Sequence, residues 1–198
     1  MITLRAKIPK ALARVAHPSS DFDLNIGLEP RDLKLQDAAV LIALVTRPNG
    51  VNVVLTKRAA QLKIHPGQIS FPGGKRDGSD LNIVATALRE ANEETGLQAS
   101  NVQVLGQLPI HRTMTGFRIT PIIGWVQHWW NIQPNPGEVE EVFEVPLQNV
   151  LHLPNFQVQS RHWAGHNRNY YVVPYGPYYI WGATARILRS FAELMDSS

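Results

Sequence analysis

Arg89-Glu90-Ala91-Asn92-Glu93-Glu94-Thr95-Gly96-Leu97 is the stretch on which the reading of this 198-residue chain turns. On a helix advancing about 100° per residue, Val84, Leu88, Ala91 and Thr95 fall on one stripe, with Ala87 beside it. Glu90 and Glu94 fall together on a neighbouring face, one turn apart, and Glu93 lies close by. A helix is predicted over residues 81–95; Ser79 or Asp80 can cap its start, and Gly96 supplies a left-handed stop. One face then packs inward while three carboxylates converge alongside it. Acids so placed repel one another and raise each other's pKa values. A hard divalent cation removes that penalty, because magnesium takes oxygen ligands, keeps several waters and bridges to phosphates. Arg89, four residues before Glu93, can pair with it and hold the geometry. For the helix taken alone, a solvated acidic face is the plainer alternative.

Working outward, Pro72-Gly73-Gly74 leaves a short extended run at residues 69–71. Glycines there suit a backbone that must approach something closely, such as a phosphate against N–H groups. Residues 38–46 are continuously apolar and predict a buried strand. Pro48-Asn49-Gly50 is a turn, and residues 51–56 read as the returning strand of a hairpin. Residues 59–68 form a loop. Further strands are predicted at 102–108, 119–126, 142–145 and 170–173. A final helix fits 182–195, with Thr184, Leu188, Phe191 and Met195 on one face. Strands and helices interleave without a regular βαβ rhythm, which points to an α/β fold with a mixed sheet between helices.

Length suits one domain, and 44% hydrophobic residues are ample for its core. Residues 1–34 read as an N-terminal extension, with a short helix beginning near Pro9, Leu12 and Val15 facing inward, and a linker over 17–34. The domain proper is expected at 35–198. The basic, acid-free start of the chain lacks the apolar core of a signal peptide. No apolar run reaches the roughly 18 residues of a membrane span. The chain has no cysteine, so disulfides, thiolate metal sites and a cysteine nucleophile are excluded. A net charge of +3 from scattered lysines and arginines suits anionic small molecules, not nucleic acid. The expectation is a cytoplasmic protein, monomer or homodimer, with a small-molecule substrate and neither nucleic-acid nor membrane partners.

Gly74, five residues, Asp80, and then Arg89-Glu90-Ala91-x-Glu93-Glu94-x-Gly96-Leu97 resembles the Nudix box. Asp80 stands where the box has glutamate, and eight residues rather than seven separate it from Arg89. Upstream, Leu55-Thr56-Lys57-Arg58-Ala59, Lys63, Gly67 and Phe71-Pro72-Gly73-Gly74 is similar to the additional motif of coenzyme A pyrophosphatases. Val54 and Lys63 replace a leucine and an arginine of that motif; lysine keeps the charge and loses the bidentate fork. The stretches 113–117, 142–147 and 180–186 look like the same subfamily, so the resemblance spans roughly residues 35–192.

The resemblance implies an α/β/α Nudix sandwich with a mixed β-sheet. It implies a Mg²⁺-dependent pyrophosphatase, with Mn²⁺ as a possible substitute, that splits coenzyme A into 4′-phosphopantetheine and adenosine 3′,5′-bisphosphate. Family practice assigns the metal to the positions of Glu90 and Glu94, with Glu93 assisting as ligand or base helper and Arg89 as a geometric support. A general base often lies on a loop outside the box, and the acidic run Glu138-Val139-Glu140-Glu141 offers Glu138 and Glu141 for it. Arg58 and Lys63, with the Gly73-Gly74 backbone, are the expected phosphate contacts; His65 shares their loop. Trp125, Trp129, Trp130, Trp163 and Trp181 are candidates for stacking an adenine. Two other readings stay open: a Nudix hydrolase of ADP-ribose, NADH or a dinucleoside polyphosphate, and a nucleotide-binding sensor without turnover.

Overall fold

Continuous apolarity at residues 38–46 follows from burial on both faces. That run forms β2 (Gln36–Arg47), which carries two separate cores. Ala39, Leu41, Ala43 and Val45 project to one side, and Ile42 and Leu44 to the other, as the period of two requires. The computed structural model describes residues 3–14, 16–29, 34–163 and 165–196. In chain order the remaining elements are α1 (Leu4–Leu12), β1 (Ser19–Ser20), β3 (Gly50–Arg58), β4 (Ile69–Ser70), β5 (Gly73–Lys75), α2 (Ile83–Thr95), β6 (Val102–Gln107), β7 (His111–Arg112), β8 (Phe117–Val126), β9 (Val139–Pro146), α3 (Leu147–Leu151), β10 (Gln157–Trp163), β11 (His166–Tyr175), β12 (Tyr178–Trp181) and α4 (Gly182–Asp196).

Nine strands form one mixed sheet. β2 runs parallel to β8 along one edge, and its other edge is shared. β3 pairs with residues 44–47 of β2, closing the predicted hairpin with Arg47 opposite Gly50. β5 pairs with Ala38, Ala39 and Val40. α2 covers one face, where Ala87 and Ala91, one turn apart, let the helix lie close on β2. α1 and α4 bury Ile8, Ala11, Leu188 and Phe191 against the other face. The architecture is the expected α/β/α sandwich.

Several boundaries differ from expectation. α2 begins at Ile83 because the Asn82 side chain, not Ser79 or Asp80, accepts the Ala85 N–H at 2.9 Å. α1 begins at Leu4 and contains Pro9, with Ile8 and Ala11 inward and Leu12 only partly buried; Val15 lies outside the described residues. The supposed linker is built into the fold over its described part. β1 pairs parallel with β7, and Asn25 is buried against Asn169: its side-chain amide donates to the Asn169 carbonyl at 2.9 Å and accepts the Asn169 N–H at 2.8 Å. The final sheet, β10-β11-β12, is larger than the single strand predicted at 170–173. Every residue of β10 is exposed, so it shows no alternation to read.

Candidate active site

α2 stands over β5, and the contact between them shapes the site. Glu94 is only 3% exposed, and its Oε2 accepts the Gly73 N–H at 3.2 Å. Glu90, one turn earlier, lies so close to Gly74 that a Cβ there would sit 2.4 Å from Glu90 Oε2. The two glycines therefore let a strand pass directly beneath two carboxylates. Both acids open into a cavity of about 660 Å³, which Gly73, Gly74, Arg58, His65 and Glu138 also line. That volume is within the range of small-molecule sites, roughly 300–1,000 Å³.

Arg89 organises the edge of the site. Its Nε and Nη2 meet the Asp80 carboxylate at 2.9 and 3.1 Å. Nη1 reaches Glu93 at 2.9 Å, and Nη2 also lies 3.0 Å from Glu90 and 3.1 Å from the Lys75 carbonyl. The Arg89 guanidinium holds the Asp80 carboxyl far below the usual range. Asp80 also accepts the Thr86 hydroxyl and the Asp77 N–H, both at 2.9 Å. Aspartate nine positions ahead of Arg89, with eight residues between, thus still supplies an acid for that arginine, because the 77–80 turn folds back onto the helix.

The expected trio of Glu90, Glu93 and Glu94 does not converge. The Glu93 side chain is 52% exposed, pairs with Arg89 and does not line the cavity. The third glutamate at the cavity is Glu138, and Asp21 lines it as well. Burial pushes the Glu94 carboxyl up to about 8, with Glu90 and Glu138 adding repulsion and Arg58 partly offsetting it. Burial likewise raises Glu90, against Arg89.

The other predicted residues separate clearly. Arg58 lines the cavity with its Nε buried and without a hydrogen-bond partner. A β-bulge, with Lys57 opposite Glu141 and Arg58 opposite Val139, sits where Arg58 leaves the sheet. Lys63 is exposed and lies outside the cavity lining, while His65 in the same loop is inside it. Burial and the nearby Arg58 lower His65. Glu141 is turned away, accepting the Tyr178 hydroxyl at 2.5 Å and raising that phenol to about 12. Glu140 pairs with Lys57 at 2.6 Å. Trp125 and Trp130 belong to the two cores and Trp129 stacks near Arg47, which leaves Trp163 and Trp181 at the cavity. Met114 and Phe117, from the stretch 113–117 that resembles the subfamily, also line it, as do Arg161 and Arg168, which carried no site signal in the sequence.

Among the described residues no three His, Asp or Glu side chains form a metal cage on their own. Magnesium does not need one: it is commonly held by one or two carboxylates, with waters and substrate phosphates completing its shell. A buried and a half-buried carboxylate, Glu94 and Glu90, that repel each other and face a cavity are a donor set of that kind.

A family model described as the NUDIX domain matches residues 35–164. The chain belongs to the Nudix family. A Yersinia enterocolitica protein named "Uncharacterized Nudix hydrolase NudL" is 43% identical over 159 residues, 80% of this chain and 81% of its own. A Photorhabdus laumondii protein of the same name is 38% identical over 180 residues, 88% and 96% of the two chains. The crystal structure of a MutT protein from Methanosarcina mazei Go1 matches with a TM-score of 0.51 at 18% identity, over 84% of this chain and 98% of that one, which speaks for the fold. As a Nudix hydrolase the chain acts on pyrophosphate bonds, and Nudix hydrolases generally use divalent metals such as Mg²⁺. No helix among its described residues is long and apolar enough to cross a membrane.

Glu94 gives the metal-free Nudix fold a testable pH dependence. Its carboxyl sits at about 8 in the fold against an ordinary 4.5. Between those values the folded state holds a proton that the unfolded state has released, so stability falls as pH rises. His65, lowered from 6.5, has the opposite slope below that pH. In chelator, stability, read as melting temperature, is therefore expected to fall from about pH 6.5 to about 8, with Glu94 contributing up to about 1.4 kcal/mol per pH unit. Glu94→Gln should flatten the slope; a wild-type melting temperature that is level across this interval would contradict the buried-acid assignment.

Proposed function

We propose that the cavity hydrolyses the diphosphate of coenzyme A or its derivatives, yielding 4′-phosphopantetheine and adenosine 3′,5′-bisphosphate. The observation carrying this reading is the make-up of this cavity. It joins an acidic end, Glu90, Glu94 and Glu138 beside Arg58, to walls built from Val40, Phe71, Phe117, Ile119 and Met114. A diphosphate suits the first part, and a long, largely apolar arm such as pantetheine suits the second. ADP-ribose offers a polar sugar to those walls.

Glu90 and Glu94 would hold Mg²⁺ or Mn²⁺, with Glu93 left to its Arg89 pair. The bound ion would supply charge neutralisation on the phosphate oxygens and acidify water. Glu138, which lines the same cavity, would accept the proton of the attacking water, a role worth about 10²–10⁴-fold. Arg58, with its unpaired buried Nε, grips a diphosphate oxygen. Arg89 acts through others: it fixes Glu90 and ties the helix to the Lys75 carbonyl and Asp80.

The test is product identification by mass after incubation with Mg²⁺ and a panel of coenzyme A, ADP-ribose, NADH and a dinucleoside polyphosphate. Coenzyme A should have the highest kcat/KM of the four. Preferential cleavage of ADP-ribose would overturn the choice of substrate, and absence of any cleavage would favour a sensor.

A further inference from the structure

The cavity has a second charged wall, distant in sequence from the acids. β10 and β11 pair antiparallel with Arg161 opposite Arg168. Opposed residues project from one face, as do residues two positions along each strand. Trp163, Arg161, Arg168 and Tyr170 therefore share a face, and all four line the cavity.

Like charges placed directly across a strand pair destabilise it, and among the described residues no carboxylate pairs with either guanidinium. Among the described residues Arg161 has no hydrogen-bond or ion-pair partner. Arg168 Nη1 meets only the Met114 thioether, at 3.3 Å, and its Nε is buried without a partner. Asp21 lines the same cavity, but its oxygens are taken by His111 Nε2 at 3.0 Å and the Met114 N–H at 2.9 Å. Arg186, also at the cavity, shows the contrast: Asp23, Ser190 and Glu193 surround its guanidinium. Beside the arginine pair lies aromatic surface. Trp163 is 56% exposed with the Arg168 guanidinium 5.9 Å from its ring, and Tyr170 meets Trp181 edge-on at 5.2 Å.

Two unmatched guanidiniums beside an open indole, on the wall of a site that already has its own diphosphate end, call for an anion attached to a flat ring. We infer that the β10–β11 hairpin holds the nucleoside end of the substrate, with Trp163 against the base and Arg161 and Arg168 binding a phosphomonoester separate from the scissile diphosphate. This deepens the coenzyme A reading and rests on it for the substrate. The ligand class is a nucleotide bearing an additional phosphate on its ribose.

The hairpin is tested by comparing coenzyme A with dephospho-coenzyme A, which differ only in that phosphate. The wild type should favour coenzyme A in kcat/KM by about tenfold or more, the scale of charge-assisted hydrogen bonds. Arg168→Ala, and independently the exposed Arg161→Ala, should bring that ratio towards one, and Arg168→Lys should fall between because it keeps charge without the fork. Arg58→Ala should lower both rates and preserve the ratio. A wild-type ratio near one, or a ratio unchanged in both alanine variants, overturns the inference. If neither substrate is cleaved, the coenzyme A reading has failed by itself and calorimetry decides on the subsite. Adenosine 3′,5′-bisphosphate binding about tenfold tighter than AMP, with the difference lost in Arg168→Ala, supports it; equal binding by the wild type overturns it.

Discussion

Glu94→Gln is expected to lower kcat by at least about 10²-fold while the protein remains folded. Glutamine keeps the shape of the side chain, and its carbonyl oxygen can still accept the Gly73 N–H that now goes to Glu94 Oε2. What it removes is a negative charge at a position almost closed to solvent. Loss of a residue that merely supports a ligand costs about 10–100-fold in metal affinity or activity, so loss of a ligand should exceed that. Two measurements check the assignment together. The wild-type melting temperature should rise on adding Mg²⁺, since an ion bound only by the folded state stabilises it, and the variant's should not. A variant that keeps the wild-type rate, or still gains stability from Mg²⁺, would remove Glu94 from the metal site.

The same residue shows how far the sequence carries. Periodicity alone places Glu90 and Glu94 on one helical face beside an apolar stripe, and that face does meet the cavity. It also placed Glu93 with them, and there it failed. An offset of about 100° per residue puts Glu93 on the flank, where Arg89 at the i−4 position captures it. Asp80 was legible as an acid near the box but not as a partner, because its role depends on the 77–80 turn bringing it back to Arg89. Glu138 and Glu141 were indistinguishable in an acidic run. The bulge in β9 and the Tyr178 hydroxyl separate them, and both are tertiary facts.

What the sequence concealed most fully is the contribution of segments that look like loops. Residues 17–29 are polar, and polar segments that are buried by mutual hydrogen bonding have the composition of a linker. Ser19 and Asp21 flank the buried His111, with Ser19 Oγ 2.9 Å from Nδ1 and Asp21 Oδ1 3.0 Å from Nε2. Those contacts fix one wall of the cavity through pairs some ninety residues apart, for which no local pattern exists. β10 is hidden for the opposite reason: both of its faces are exposed, so hydrophobic alternation has no purpose there. Helix α2 was readable because its core stripe and its acidic face obey one period. The β10–β11 hairpin was not, because only its strand register brings Arg161 and Arg168 together.

Gly73→Ala and Gly74→Ala should separate folding from catalysis at adjacent positions. A Cβ on Gly73 would fall 2.4 Å from the Ala39 carbonyl oxygen and 2.6 Å from Val40 Cα. Both are backbone atoms of the central strand, so β5 must move off β2, and a loss of about 2–4 kcal/mol of stability is expected. The three atoms nearest to a Cβ on Gly74 would all belong to the Glu90 carboxylate, at 2.4–2.7 Å. That group is the end of a flexible side chain and can swing aside at little cost to the fold. Gly74→Ala should therefore change stability by less than about 1 kcal/mol, yet reduce kcat at least about 10²-fold by displacing an oxygen proposed to hold the metal. Denaturant melts and steady-state rates on the two variants test the contrast. Shortening the displaced acid sharpens it: in the Gly74→Ala background, Glu90→Asp makes room for the new methyl group and should restore part of the lost rate. If Gly74→Ala is fully active, Glu90 does not need the space beneath it, and its carboxylate is not where the reaction requires a ligand.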